Sequence, residues 1–290
     1  MTFKITIASG KGGTGKTLLS VNLAFYFKHI LKTDVALIDL DVEEPNSSIF
    51  LKGKPMQTFE ATRMIPFYDR SLCTDCGICS DVCMFNALIK AKNHVLIYKN
   101  LCHSCNACVK LCPAGALSMK PSRIGEIHLI NTNQGIQFIE GVLDIKEEMS
   151  TPLIRRTKDI ADEMFRDTFL HIYDSPPGTS CSYIEAMKDT DLLLIITEPT
   201  PFGISDSTLA IETANILKKN CAVVLNRTGE ENQEAVKHFE NLHAKVIAQI
   251  KSDKRIAETY STGDIVFGKY EGFDNAIKSI AEYVLMRSRI

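Results

Sequence analysis

The sequence predicts an α/β protein: a doubly wound, mostly parallel sheet with a small, cysteine-rich α+β domain inserted into it. Three observations predict this. A glycine-rich loop, Ser9-Gly10-Lys11-Gly12-Gly13-Thr14-Gly15-Lys16-Thr17, lies between an apolar run and a helical pattern. Later runs are apolar without alternation, as strands covered on both faces are, and several end in Asp or Asn. Eight of the ten cysteines fall in one central stretch, as two copies of a single spacing.

The first strand is expected over Phe3 to Ala8 and the first helix over Leu18 to Leu31. That strand–loop–helix context is what a G-x-x-x-x-G-K-[ST] match requires. Gly10, Gly12, Gly13 and Gly15 let backbone N–H groups close on a polyphosphate, where a Cβ would block the approach or forbid positive φ. The helix N-terminus adds partial positive charge. Lys16 reaches the β- and γ-phosphates, and Thr17 offers its hydroxyl to Mg²⁺.

Lys11 is an additional lysine inside the loop. With it, Lys11-Gly12-Gly13-Thr14-Gly15-Lys16-Thr17 resembles the deviant Walker A motif of the MinD/Mrp/ParA ATPases, relatives of the nitrogenase iron protein. The resemblance implies a SIMIBI-type P-loop NTPase fold, ATP as the nucleotide and a nucleotide-dependent homodimer. In such a dimer Lys11 acts on the partner's γ-phosphate, as an arginine finger does.

The bulk properties are those of a globular chain: 290 residues, 45% hydrophobic, 23% charged, net charge −2. This balance gives no electrostatic case for nucleic acid as a partner. No apolar run approaches the roughly 20 residues of a membrane span. The chain enters a strand at once, without a leader pattern, so a cytoplasmic location is expected. In a reducing compartment clustered cysteines read first as metal ligands.

A second strand, Asp34 to Asp39, runs into Asp39-Leu40-Asp41-Val42-Glu43-Glu44-Pro45-Asn46. Carboxylates two residues apart at a strand end point the same way, toward the edge where open α/β sheets bind ligands. By resemblance this is switch I: Asp39 supports the Mg²⁺ water shell, and Asp41 orients or activates the attacking water. Glu43 and Glu44 read as solvated.

Cys73, Cys76, Cys79 and Cys83 form C-x₂-C-x₂-C-x₃-C, and Cys102, Cys105, Cys108 and Cys112 repeat it 29 residues later. Ala87-Leu88 and Ala116-Leu117 extend the repeat. Residues 59–122 resemble a bacterial two-cluster 4Fe–4S ferredoxin, in which the fourth cysteine of each run ligates the other cluster. The resemblance implies Cys73, Cys76, Cys79 and Cys112 on one cluster, and Cys102, Cys105, Cys108 and Cys83 on the second. Pro113 follows the last cysteine as that pattern expects; Met84 departs from it after the first run without touching the ligand set. A zinc ribbon fits less well, since zinc takes four ligands from two short knuckles. Residues 87–90 and 94–98 read as a hairpin, and His103 as a loop residue tuning local hydrogen bonds.

The α/β pattern resumes with a strand at Ile127 to Ile130 and a helix over 150–165, capped by Ser150 or Thr151 with Pro152 in its first turn. The next strand, Phe169 to Tyr173, ends in Asp174-Ser175-Pro176-Pro177-Gly178. An apolar strand ending in Asp is the Walker B arrangement, which holds Mg²⁺ directly or through water. The segment resembles the family's switch II, in which Gly178 senses the γ-phosphate through its N–H. Cys181, just beyond, is a candidate ligand or transfer thiol; Cys221 reads as core.

Strands follow at Asp191–Thr197, Ala222–Thr228 and Lys245–Ile250, with helices from about Ser205, near 253–260 and near 274–289. By resemblance Asn226 reads the adenine edge and Arg227 flanks the base. The last helix carries Ile277, Ile280, Ala281, Val284 and Leu285 on one stripe, expected to pack on the sheet rather than anchor to a membrane.

The expected organisation is an ATPase domain over 1–58 and 123–290 and an inserted ferredoxin-like domain over 59–122. Three functions remain open: ATP-gated electron transfer through two 4Fe–4S clusters to a partner, ATP-dependent assembly or carriage of a metal cofactor, and a redox-sensing positioning switch.

Overall fold

A computed structural model describes residues 2–229 and 232–288. The chain opens with β1 (Phe3–Ala8), α1 (Lys16–His29), β2 (Val35–Asp39) and the short α2 (Ser47–Phe50). A long strand, β3 (Gly53–Tyr68), leads into a central segment holding α3 (Ile78–Asp81), β4 (Leu88–Ala91), β5 (His94–Ile97) and α4 (Ala107–Lys110). An equally long strand, β6 (Leu117–Thr132), returns, followed by β7 (Gln137–Leu143), α5 (Ser150–Met164), β8 (Leu170–Asp174) and α6 (Cys181–Met187). The chain continues through β9 (Leu192–Thr197), α7 (Pro201–Ile216), β10 (Cys221–Thr228), α8 (Gln233–Asn241), β11 (Lys245–Lys251), α9 (Lys254–Ser261) and α10 (Glu271–Ser288).

Nine strands form one sheet in the order β11-β10-β9-β1-β8-β2-β7-β6-β3. The seven from β11 to β7 run parallel; β6 and β3 complete the edge antiparallel. Every residue of β2, β8 and β9 is buried, the signature of strands covered on both sides. Alternate residues feed opposite layers. Ile5, Ile7, Leu37 and Leu194 pack under α1 and α10. On the other face Ile38 and Ile139 meet α5, while Leu193, Ile195 and Val223 meet α7 and α8. This is the double winding expected from the sequence.

Several expectations are corrected. The residues expected to form a strand at 127–130 are one part of the sixteen-residue β6, and they run antiparallel to β7 rather than continuing the parallel order. The partner strand β3 pairs with β6 along its whole length, from Gly53–Thr132 to Tyr68–Leu117. The expected boundaries at 58/59 and 122/123 therefore fall inside a continuous ribbon, not in loops. Neither Ser150 nor Thr151 caps α5: Met149 is the cap residue, and the Glu147 carboxylate accepts from the N–H groups of Glu148 and Met149 at 3.3 and 3.2 Å. The helix expected from Ser205 starts at Pro201, where the Thr200 hydroxyl accepts from Gly203 N–H at 3.1 Å.

The stripe on α10 packs as expected, with Ile277, Ile280, Ala281 and Val284 buried. The expected end of that helix, residue 289, lies outside the described residues. Among the described residues, no helix is long and apolar enough to cross a membrane.

The central segment repeats in structure what the cysteines repeat in sequence. A 3₁₀ turn at Arg70–Leu72 recurs at Lys99–Leu101, and α3 recurs as α4, each 29 positions on. So do the left-handed residues: Asp75 and Ser104, Gly77 and Asn106, Asn86 and Gly115. A separate small core of Ala87, Leu88, Val95, Cys102, Cys108 and Leu117 holds the segment together, with β4 and β5 as the expected hairpin.

Candidate functional site

Adjacent parallel strands β1, β8 and β2 deliver their C-terminal loops to one edge of the sheet, where open α/β folds bind ligands. Register fixes the arrangement: Asp174 is paired with both Ile7 and Asp39. The glycine loop leaves β1 with Gly13 at φ +75° and Gly15 at φ +103°, the latter capping α1. A Cβ on Gly15 would come within 2.6 Å of the Asn226 amide nitrogen. Gly10 serves a different purpose from the one expected: a Cβ there would meet the Asp206 backbone at 2.4 Å, so this glycine admits α7 against the loop.

A cleft of about 650 Å³ opens over the loop. It brings together Gly12, Gly13, Gly15, Lys16 and Thr17 with Asp41, Asn226 and Arg227. Of the other expected residues, Gly10, Lys11, Thr14, Asp39, Asp174 and Gly178 stand behind or beside this lining. Asn226 is buried and donates from Nδ2 to the Thr14 carbonyl at 2.8 Å, while its Oδ1 accepts from Arg227 N–H at 2.9 Å. In this conformation it braces the loop rather than presenting a free amide to a base. Gly178, at φ +87°, donates its N–H to the Ser9 carbonyl at 3.0 Å, so sensing a phosphate requires that bond to open.

Three carboxylates sit at the phosphate end. Asp39 is fully buried and accepts from three backbone N–H groups: Asp41 at 3.1 Å, Asn46 at 3.1 Å and Ser47 at 3.0 Å. It thereby shapes the whole 40–47 loop. Burial still pushes its pKa up to about 6. Asp174 is driven up to about 8 by burial and then by the charge of Asp39. Asp41 rises to about 7 through burial and the Asp39 charge, with Lys16 opposing.

Among the described residues no group of His, Cys, Asp or Glu is set to hold a single metal ion through protein ligands alone. Mg²⁺ seldom asks for that: it keeps waters and takes one or two carboxylates plus phosphate oxygens. The residues fit such an ion. Asp174 Oδ1 and Thr14 Oγ1 are buried without any partner, an unusual state for buried polar atoms. Thr17 and Asp174, with Asp39 behind them, would hold the ion, which would neutralise phosphate charge.

Several residues at this edge were not apparent from sequence. Lys254, Ile256 and Tyr260, from α9, line the cleft opposite the loop; the only pointer was Asp253, an N-cap residue after a strand. Glu198 gave no signal at all. Its carboxylate lies 3.4 Å from Lys11 Nζ and 2.5 Å from Arg227 Nη1, so both cations are held within the chain.

The cysteines line two further hollows. Cys73, Cys76, Cys79 and Cys112 surround one, of about 20 Å³. Cys83, Cys102, Cys105 and Cys108 surround the other, also of about 20 Å³. Each thus takes three cysteines from one run and the fourth from the other. Backbone N–H groups of Asp75, Ala87 and Ser104 donate to the sulfurs of Cys73, Cys83 and Cys102 at 3.2–3.4 Å. Burial pushes the Cys79 and Cys108 thiols up, Cys108 to about 11, so a ligand that binds them must displace protons. Among the described residues the His103 ring has no hydrogen-bond partner; it stacks on Phe85 at 3.7 Å. Cys181 is exposed at the start of α6, and Cys221 is partly buried against the α7–α8 layer.

A phosphate-binding loop on β1, acidic strand ends on β2 and β8 and a cleft over α1 define a nucleotide-binding P-loop protein. The model of the CobQ/CobB/MinD/ParA nucleotide-binding domain matches residues 5–266, and the chain belongs to that family. It is 32% identical over 284 residues to an uncharacterized protein of Methanocaldococcus jannaschii, covering 97% of each chain. An uncharacterized ATP-binding protein of the same organism is 25% identical over 268 residues, covering 91% of this chain and 79% of that one. The fold is that of the MinD cell division protein of Aquifex aeolicus, at a TM-score of 0.58 and 18% identity over 98% of both chains. The MinD structure of Pyrococcus horikoshii complexed with Mg-ADP superposes equally well, at 0.58 and 17% identity, covering 98% of this chain and 96% of that one.

Proposed function

We propose that this nucleotide-binding protein is an ATPase that couples nucleotide-dependent homodimerisation to electron transfer through two 4Fe–4S clusters. The observation that carries the reading is the pair of hollows, each lined by four cysteines with the fourth exchanged between runs. Four thiolates per hollow match the ligand demand of a cubane, and amide hydrogen bonds to sulfur are one of the means by which a protein sets cluster potential. When bound, the clusters supply one-electron chemistry. The hollows stand on a ribbon of the same sheet that carries Asp39 and Asp174.

In the nucleotide domain, Lys16 and the loop N–H groups hold the phosphates, and Thr17 and Asp174 take Mg²⁺. Asp41, with a pKa near neutrality, suits a group that orients or deprotonates the attacking water. Lys11 leaves Glu198 to reach the γ-phosphate of a second copy. A slow ATPase of this kind accelerates when a client docks, and the client is an electron-accepting protein. The cytoplasm is the compartment that suits such clusters.

The test is an EPR-monitored redox titration of anaerobically purified protein with and without Mg·ATP. Two 4Fe–4S signals whose potentials move by tens of millivolts on nucleotide binding support the reading; about 59 mV is a tenfold change for one electron. Unchanged potentials with bound nucleotide sink it. A second reading, delivery of a metal cofactor, is favoured by the exposure of Cys181 beside switch II. It predicts iron lost to a chelator faster in ATP than in ADP.

A further inference from the structure

Arg63 lies on β3, is only 4% exposed, and serves one carboxylate and two backbone carbonyls at once. Its Nη1 donates to the Cys102 carbonyl at 2.6 Å. Its Nη2 donates to the Lys99 carbonyl at 3.0 Å and to Glu147 Oε1 at 3.1 Å. One buried guanidinium thus joins the turn that presents the second cysteine run to a residue of the nucleotide domain. An arginine remains charged in such a place, and its planar fork serves several acceptors at fixed angles, which a lysine does not.

Glu147 belongs to the turn after β7. That turn is tied to the loop carrying Asp41 at one end and to β6 at the other. Leu143 N–H donates to the Val42 carbonyl at 2.8 Å, one residue after Asp41. Glu147 N–H donates to the Asp144 carbonyl at 3.0 Å, and Asp144 N–H to the Ile124 carbonyl at 2.9 Å. Asp41, Glu147 and switch II residues Pro176 and Pro177 line one cleft of about 640 Å³. From Asp41 to Cys102 every link is a peptide bond or a hydrogen bond: Val42 to Leu143, the turn to Glu147, Glu147 to Arg63, Arg63 to Cys102.

We infer that Arg63 is a positioning residue which, through Glu147, transmits movement of the loop carrying Asp41 to the turn that presents Cys102. The inference rests on the proposed function in one respect, that nucleotide moves the switch loops. Neither Arg63 nor Glu147 lines the cleft over the glycine loop or the cysteine-lined hollows. Their effect is on how the two sites sense each other. Removing the Glu147 charge turns the Arg63 ion pair into a weaker hydrogen bond to a neutral oxygen, so the strut slackens while its hydrogen bonds to Lys99 and Cys102 persist.

The experiment is hydrogen–deuterium exchange on the full-length, anaerobically isolated protein, followed at the amides of 99–108. Wild type, Glu147→Gln and Arg63→Met are compared without nucleotide, with Mg·ADP and with Mg·ATPγS. Nucleotide affinity and iron content are measured on the same samples. Glu147→Gln keeps an oxygen to cap α5, so it decides the matter if Arg63→Met fails to fold. The expected result is a nucleotide-dependent change in exchange at 99–108 in wild type. In Glu147→Gln it is diminished roughly two- to thirtyfold with affinity and iron unchanged. The double variant should do no more than the single ones. A wild-type response retained in the folded variants overturns the strut and leaves the proposed function standing. A wild type that binds Mg·ATPγS without any response at 99–108 overturns the gating reading and the strut with it.

Discussion

Asp39 and Asp174 are register partners on adjacent parallel strands, both buried, with Asp174 carrying an oxygen that has no partner. Strands in a sheet lie about 4.8 Å apart, so these two carboxylates face each other across one strand spacing. Without a cation, burial above all favours the protonated carboxyls, and the Asp39 charge adds to it at Asp174 and Asp41: the pKa values stand at about 6 for Asp39 and about 8 for Asp174, with Asp41 at about 7.

The unfolded chain ionises these carboxyls near the ordinary aspartate value of 3.8, whereas the folded protein keeps its protons to higher pH. Between about pH 4 and pH 8 the folded state therefore binds more protons, and stability falls as pH rises. The Mg²⁺-free protein should melt lower at pH 8 than at pH 5. The Asp174→Asn variant should show a flatter dependence by more than about 2 °C, the shift for one kcal/mol in a chain of this size. Mg·nucleotide should reverse the trend, since the ion replaces the protons and binds more tightly as pH rises. Equal slopes in wild type and Asp174→Asn, read by calorimetry across that range, would refute the assignment.

Lys11 is held at 3.4 Å by Glu198, the two side chains being 35% and 13% exposed. A partly exposed pair of this kind is worth roughly 0.2–1 kcal/mol, so it restrains Lys11 without locking it. Glu198→Gln should let Lys11 engage a second copy more readily, lowering the Mg·ATP concentration for dimerisation by up to about fivefold. Lys11→Ala should abolish the dimer while the monomer still binds nucleotide. Sedimentation against nucleotide concentration measures both, and a Glu198→Gln curve identical to wild type counts against the restraint.

The exchange of fourth cysteines makes single substitutions diagnostic. Cys112→Ser should impair the hollow lined otherwise by the first run, and Cys83→Ser the hollow lined by the second, each removing about half of the iron and one of two EPR signals. If Cys112→Ser instead perturbs the signal that Cys102→Ser abolishes, the ligand sets are wrong.

Glycines of the loop should respond unequally. Gly15→Ala places a Cβ at a left-handed φ and against Asn226, and should cost about 1–3 kcal/mol with loss of nucleotide binding. Gly12 has no neighbour within 4 Å of an added Cβ and an ordinary φ. Gly12→Ala should leave the thermal midpoint of the nucleotide-free protein within about 1 °C. Similar losses in both variants would remove the steric explanation.

The parallel core was legible because β2, β9 and the first five residues of β10 are apolar runs and β8 is interrupted only by His171 before its terminal Asp174, and the loop after β1 because its glycines have a fixed chemistry. The ribbon was not. Residues 53–68 mix charges with Pro55 and Pro66, which argue against a central strand; β3 tolerates them because it is an edge. Nor was β7 apparent, broken as it is by Glu140 and Gly141. Gly141 is there for packing: a Cβ would press on Thr157 and Val42 at 2.7 and 2.8 Å, so α5 sits close. The cysteine pattern was readable because its repeat is local. The partners of Lys11 and Arg63 were not, being 187 and 84 residues away in the chain.

The ribbon of β3 and β6 also has a mechanical meaning. Its pairing with β7 ends at Gly125, whereas β3 and β6 stay paired to Tyr68 and Leu117. About eight residues of each strand thus reach past the last neighbour, an arm of about 25 Å at about 3.3 Å per residue. A tilt of about 5° at the root of such an arm carries its tip through about 2 Å. The geometry is that of a lever. Small changes in the angle between β7 and the ribbon become changes in how far the cysteine-lined hollows stand from whatever docks against them.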